Sequence, residues 1–470
     1  MEGRKPSIWD TFVMDHPEKI LDHSNGDVAI DFYFRYKEDI ALMKEVGMDS
    51  FRFSISWSRI LPNGKISGGV NQQGVAFYDN LIDHLISNGI EPFITLFHWD
   101  LPQALNDEYG GFLSPKIVKD FGDFVDFCFK QFGDRVKQWV TLNEPNLFTK
   151  GGYAAGTNAP GRCSNYIGNC TAGNSATEPY AVAHHLILCH ATAVKLYKEK
   201  YQASQKGLIG ITLYTFWAVP KFQTVASRDA ATRALDFMFG WFFNPITYGD
   251  YPKIMRELVG DRLPKFTNSQ SKMVKGSIDF LGFNYYSANY ADGMTYYSNA
   301  NLSYTTDNRV NLTTEKNGIP IGQQTGASWI YLYPKGIREI LLYIKRKYNS
   351  PIIYITENGM ADVENSISRP IDNALNDSLR IKYHRLHLSH LLKAINKDGV
   401  DVRRYYVWSF LDNFEWSSGY TLRFGITYVD YKDGLKRSFK KSALWFRSFL
   451  QKQNNIVSST AASLKLYSDQ

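Results

Sequence analysis

The sequence predicts an α/β chain folded as a (β/α)₈ TIM barrel, on three observations. Short apolar strand-like runs alternate with helical stretches along the chain, with no linker, low-complexity block or fixed-period repeat, and that alternation implies a parallel sheet. The 470 residues suffice to close such a sheet into one large barrel. Two of the runs end on a carboxylate: Ile352-Ile353-Tyr354-Ile355-Thr356-Glu357 before the Asn358-Gly359 turn, and Trp139-Val140-Thr141-Leu142-Asn143-Glu144 before Pro145. The C-terminal strand ends of a barrel surround one mouth, so acids far apart in sequence meet across it. Paired carboxylates at such a mouth are the machinery of glycoside hydrolysis. One barrel domain is expected over residues 1–453, followed by a Ser-rich flexible tail over 454–470.

In chain order, Ser50-Phe51-Arg52-Phe53-Ser54 alternates apolar and polar residues after a helical stretch over Tyr36 to Val46. Pro92 to Trp99 is an apolar strand ending in polar and aromatic groups, His98 and Trp99. The amphipathic run Ile117 to Phe132 leads to the Glu144 strand. Leu208 to Leu213 and Ile278 to Asn284 follow, then the Glu357 strand and Arg404 to Trp408, with helical stretches such as Pro179 to Tyr201 and Asp377 to Asn396 between them. These are seven strands, one short of a closed barrel of this class.

Composition excludes several classes. Hydrophobic residues make up 44% of the chain, enough for a sizeable core. Aromatic residues make up 15%; most fill that core, and the remainder suits a pocket that stacks on sugar rings. Net charge is +7, but Lys and Arg stand singly between acids, so no basic block marks a nucleic-acid partner. No apolar run reaches the roughly 18 residues of a membrane span. There is no phosphate-cradling loop, dinucleotide fingerprint or Gly-x-Ser-x-Gly elbow, and neither metal nor organic cofactor is expected.

Four glycosylation tripeptides, at Asn169, Asn301, Asn311 and Asn376, favour a secretory compartment. Cys163 and Cys170 share a polar loop in which a short-loop disulfide is open, whereas Cys128 and Cys189 lie in apolar helical patterns and read as buried thiols. Met1-Glu2-Gly3-Arg4-Lys5-Pro6 has no apolar signal region, so a signal peptide is expected upstream of this chain.

The strand ends carry Arg52, His98-Trp99, Asn143-Glu144, Asn284-Tyr285-Tyr286, Glu357 and Glu415-Trp416. Any one of these is more often structural than functional. Clustered at one barrel face they are expected only for a site. His384, His387 and His390 recur every three residues on a helix, with no carboxylate to complete a metal set, and read as a solvated helix face.

These residues resemble glycoside hydrolase family 1, and plant β-glucosidases within it, from Pro6-Ser7-Ile8-Trp9-Asp10-Thr11-Phe12 to about Phe449. The likeness rests on Phe51 to Arg59, Leu96 to Asp100, Thr141-Leu142-Asn143-Glu144-Pro145, Ile355-Thr356-Glu357-Asn358-Gly359 and Asp412-Asn413-Phe414-Glu415-Trp416. It implies Glu144 as general acid/base and Glu357 as nucleophile of a retaining mechanism. His98, Trp99, Asn143, Glu415 and Trp416 would bind the substrate, with Trp408 as stacking floor and Trp329 as a wall of the aglycone site. Asn284 and Tyr286 would orient the nucleophile region, Arg52 would stand beside it, and Cys163 would pair with Cys170. Glu144 rather than Gln implies O-glycosides, and Glu415-Trp416 implies an unphosphorylated sugar. Family members have a strand ahead of the Pro-Ser-Ile-Trp-Asp motif, ending in a Gln that grips the glycone. That strand is expected to be missing here, leaving a slot between the Arg52 strand and the Arg404–Trp408 strand.

The implied function is hydrolysis of O-β-D-glucosides of plant secondary metabolites through a covalent glycosyl-enzyme, with a small-molecule glucoside as the only firm partner. A transglucosidase with an alcohol acceptor shares the same intermediate. A truncated, non-catalytic sugar-binding or storage relative shares the same frame. Homo-oligomerisation, the aglycone and the final compartment, apoplast or vacuole, are open at this point.

Overall fold

Apolar runs flanked by amphipathic helices become seven strands of one parallel sheet. They are β1 (Ser50–Ser54), β2 (Glu91–Phe97), β3 (Gln138–Asn143), β4 (Leu208–Tyr214), β5 (Phe280–Asn284), β6 (Ile353–Asn358) and β7 (Val402–Val407), hydrogen-bonded in that order. The computed structural model describes residues 2–294, 296–297, 300–363 and 371–451, so the tail expected over 454–470 lies outside the described residues. All six pairings are parallel, for example Ser50↔Glu91 and Ile353↔Val402. The fold is of the (β/α)₈ TIM-barrel class.

Helix α1 (Phe32–Val46) leads into β1, and α2 (Gln72–Ser87), α3 (Lys116–Phe132), α4 (Glu178–Lys200), α5 (Lys335–Lys347) and α6 (Ser378–Asn396) lie between successive strands. In α3, Ile117, Phe121, Phe124, Val125, Cys128, Phe129 and Phe132 recur at three- and four-residue spacing and are buried. In α5, Ile337, Ile340, Leu341 and Ile344 do the same. Inside the sheet, Phe93, Val140, Phe280 and Tyr354 form a buried cluster near the strand starts, with Phe280 stacked on Tyr354 at 4.2 Å. This layer fills the barrel below its mouth.

Edge strands β1 and β7 are not paired with each other. Between them lies a cavity of about 1210 Å³ bordered by Phe51, Arg52, Phe53, Tyr405, Val407 and Phe410, the slot expected from the strand count. Side chains cross it near the strand starts. Ser50 Oγ meets Tyr406 Oη at 2.7 Å, and Arg404 of β7 forks onto Glu91 of β2 at 2.7 and 3.1 Å. The facing edges leave backbone groups without a ladder partner.

Cys163 and Cys170 form a disulfide with Cα atoms 5.5 Å apart, and Cys128 and Cys189 are buried free thiols. Of the solvated face expected for His384, His387 and His390, only His390 is part-exposed. His384 and His387 are fully buried. His384 Nδ1 lies 2.8 Å from Tyr405 Oη, and the His387 ring stacks on Tyr383 at 3.9 Å. Residues three apart share one helix face, and α6 turns that face toward the strands rather than toward water. Burial pushes the His387 imidazole down to about 3, so it is neutral at physiological pH. Among the described residues, no helix is long and apolar enough to cross a membrane.

An extended segment fused ahead of Met1, able to pair with β1 and β7, should raise the thermal midpoint and lower light scattering at a given concentration. Equal midpoint and equal scattering for the two forms would show that the open edges cost nothing.

Candidate active site

The two acidic strand ends depart from regular pairing where their side chains matter. The β3–β4 register shifts between Val140 and Asn143, and the β5–β6 register shifts between Ile355 and Glu357. Such irregularities re-aim the side chains that follow them. Glu144 has φ +43°, a left-handed conformation unusual for a non-glycine residue, directly before Pro145. Asn146 holds that turn, its amide donating to Tyr214 O at 2.7 Å and Met238 O at 3.0 Å. Trp99 and Trp416 are left-handed as well, with φ +77° and +51°. Backbone strain gathered at one mouth is typical of a functional site.

Glu144 and Glu357 are both buried and line one cavity of about 170 Å³ at the mouth. Their partners differ. Glu357 Oε1 accepts from Arg52 Nη1 at 2.9 Å and Oε2 from the Tyr286 hydroxyl at 2.7 Å. Glu144 Oε1 accepts from the neutral Asn284 amide at 2.7 Å. Burial, followed by the charge of Glu357, raises the Glu144 carboxyl well above the usual range against the opposing pull of Asn284 and Arg52. One mouth therefore holds a carboxyl raised well above the usual range beside a second one tied to a guanidinium and a phenol.

Arg52 is the connecting piece. Its Nη2 donates to Asn143 Oδ1, and the Asn143 amide nitrogen lies 3.0 Å from His98 Nε2. Because that nitrogen is a donor, His98 Nε2 accepts, leaving the proton on Nδ1. Burial and the Arg52 charge push the His98 imidazole down to about 3, so it is neutral. Thr356 holds Asn284 by donating to its Oδ1 at 2.6 Å. Neither Thr356 nor Asn146 was singled out from sequence. Both are short polar residues whose role depends on which strand end they face.

His98, Trp99, Glu144, Tyr286, Trp329, Glu357, Trp408, Glu415 and Trp416 line the cavity, joined by Leu147, Tyr214, Leu422 and Phe424. Of the residues named from sequence, Asn143, Asn284 and Arg52 stand beneath the lining and act on those above. Trp99 and Trp416 pack at 4.6 Å, and Trp99 Nε1 donates to Asn143 O at 2.9 Å. Trp329 packs edge-on against Tyr286 at 5.5 Å and stays 43% exposed, so it forms the outer rim. Burial, relieved by an Asn413 hydrogen bond and reinforced by Glu357, raises Glu415 to about 7. Among the described residues no three His, Cys, Asp or Glu side chains converge to hold a metal.

Residues 1–455 match the family described as Glycosyl hydrolase family 1. The chain belongs to glycosyl hydrolase family 1. β-Glucosidase 17 of Arabidopsis thaliana is 62% identical over 455 residues, covering 97% of this chain and 88% of that one. β-Glucosidase 12 of Oryza sativa subsp. indica is 59% identical over 451 residues, covering 96% and 88%. Among solved structures, a rice β-glucosidase mutant in a covalent complex with Glc is 49% identical, covers 95% of this chain and 93% of its own, and superposes with a TM-score of 0.93. This family 1 glycosyl hydrolase is an enzyme of the β-glucosidase class.

Replacing Arg52 by Met leaves the buried Glu357 without its ion pair, which should lower folding stability by about 3–5 kcal/mol. Because the same guanidinium orients Glu357 and Asn143, Arg52→Met should also lower kcat/KM for an aryl β-glucoside by on the order of a hundredfold. Steady-state kinetics within threefold of wild type would show that the guanidinium is not needed at the mouth.

Proposed function

We propose that this family 1 enzyme is a retaining β-glucosidase that hydrolyses O-β-D-glucosides of plant secondary metabolites through a covalent glycosyl-enzyme. The observation that carries this reading is the contrast between the two carboxyls: Glu357 is held by Arg52 and Tyr286, and burial beside Glu357 raises the Glu144 carboxyl well above the usual range. In the first step a Glu357 oxygen attacks the anomeric carbon as the glycosidic C–O bond breaks. The Glu144 proton passes to the departing oxygen, releasing the aglycone alcohol. In the second step Glu144, now a carboxylate, takes a proton from water. The water oxygen bonds the anomeric carbon, the Glu357 ester bond breaks, and Glu144 is protonated again.

Neutral His98, with Nδ1–H free to donate, together with Glu415 and Trp416, serves the glycone hydroxyls, and Trp408 forms the floor beneath the ring. Asn143 and Asn284 keep these groups in place from below. The half-exposed Trp329 at the rim, with Tyr214, Leu147 and Phe424 lining the cavity, makes an apolar, aromatic wall, which supports an aglycone of that character. The Cys163–Cys170 disulfide supports maturation in an oxidising secretory compartment.

Retention is checked by following the anomer first released from an aryl β-glucoside by proton NMR; β-glucose is expected, and α-glucose as first product would replace this mechanism with an inverting one. Because the Glu144 carboxyl is raised, the active form is protonated and kcat/KM should fall as pH rises through its pKa. Glu144→Gln should abolish that alkaline limb and slow substrates with poor leaving groups by about 10²–10⁴-fold. An alkaline limb preserved in the variant would assign the acid elsewhere.

A further inference from the structure

The glycone side of the mouth is carried by the segment 412–416, whose support lies outside the sugar cavity. Asp412 is fully buried. It accepts from Arg423 Nη1 at 2.7 Å, Lys440 Nζ at 2.9 Å, Gly425 N at 3.0 Å and Val429 N at 3.3 Å. Its own N–H donates to Thr427 O at 3.1 Å, and Ser409 N donates to Phe424 O at 3.1 Å. Two cations and a set of backbone bonds thus fix the chain where Asn413 leaves it.

We propose that Asn413 is a positioning residue that aims the Glu415 carboxylate at the glycone. Asn413 Nδ2 donates to Glu415 Oε2 at 3.0 Å and to Phe414 O at 3.2 Å. The Ser409 hydroxyl donates to Asn413 Oδ1 at 3.2 Å and to Leu411 O at 2.7 Å. Because the Phe414 carbonyl can only accept, the amide nitrogen is the end that faces it and Glu415. Asn413 borders the slot cavity, not the sugar cavity, whereas Glu415 lines the sugar cavity. Asn413 therefore touches no sugar and acts through Glu415. The Glu415 backbone sits in a tight turn, its N–H bonded to Gly419 O at 2.8 Å and its O to Ser418 N at 2.9 Å, before left-handed Trp416. The turn sets where Glu415 starts, and the Asn413 amide, with the Trp408 indole as a second side-chain donor, orients its carboxyl group. A buried carboxylate depends on such donors for orientation and charge.

This inference rests on Glu415 being a glycone ligand, and the test separates the two claims. The kcat and KM values of wild type, Glu415→Gln, Asn413→Ala and the double variant are measured on an aryl β-glucoside and its monodeoxy analogues. Glu415→Gln is expected to erase discrimination at particular hydroxyls. Asn413→Ala should reduce kcat/KM on the parent glucoside roughly tenfold, the size of one hydrogen bond to a charged group. It should erase discrimination at the same hydroxyls, and the double variant should be no worse than Glu415→Gln. Ser409→Ala should give the same pattern more weakly, and it stands in if Asn413→Ala does not fold. A loss by Asn413→Ala that is uniform over all analogues, or additive with Glu415→Gln, overturns the positioning role while leaving Glu415 as a ligand. Glu415→Gln with unchanged discrimination overturns the ligand role and this inference with it.

Discussion

The ion pair between Arg52 and Glu357 is the interaction on which the mouth depends. Both groups are almost completely withdrawn from water, with side-chain exposures of 6% and 5%. A buried charge is tolerated only when paired and hydrogen-bonded, so neither group can move without the other. Arg52 also grips Asn143, which grips His98. One guanidinium thereby ties the ends of β1, β2, β3 and β6 into a single polar unit. Its planar fork reaches two acceptors at once, which a lysine ammonium at the end of a flexible stem does not reproduce.

Around that unit two chemically identical side chains acquire opposite characters. Glu357 faces a cation and a phenolic donor, and Glu144 faces a neutral amide and the negative charge of Glu357 itself. Burial and the Glu357 charge raise Glu144, and the more distant Arg52 charge and the Asn284 amide offset this only in part. This separation of two carboxyls by environment is what acid–base and nucleophilic roles require. Its cost falls on the backbone, with Trp99, Glu144 and Trp416 held in left-handed conformations by neighbouring bonds.

The seven-strand sheet poses a mechanical question. A barrel's tilt and interior packing depend on strand number, yet the side chains below the mouth stay in register across the open edge. Arg404 reaches past β1 to Glu91, and Tyr406 reaches Ser50 and packs on Phe93 at 5.3 Å. These long side chains bridge the space a backbone ladder would otherwise fill. Arg52 borders both the slot and the polar unit above it, so the open edge lies one residue from the chemistry.

By itself the sequence determined the strand order, the strand-end acids and the buried faces of strongly amphipathic helices such as α3. Local pattern decides these: a run such as Ile353-Tyr354-Ile355 has only one burial solution in a parallel sheet, and the apolar stripe of α3 has only one face to bury. The motif residues Glu144, Glu357, His98 and Glu415 were legible for the same reason, each standing at the end of such a run or in a contiguous motif. Tertiary structure alone decided which groups face each other. It joined Arg52 to Asn143 as well as to Glu357, drew Thr356 and Asn146 into the site, and revealed Asn413 behind Glu415. It also buried His384 and His387, whose spacing looked the same as that of a wet helix face. Pairing across a barrel depends on strand stagger and on where each helix turns its faces, and those are settled by packing between segments hundreds of residues apart, which no local pattern records.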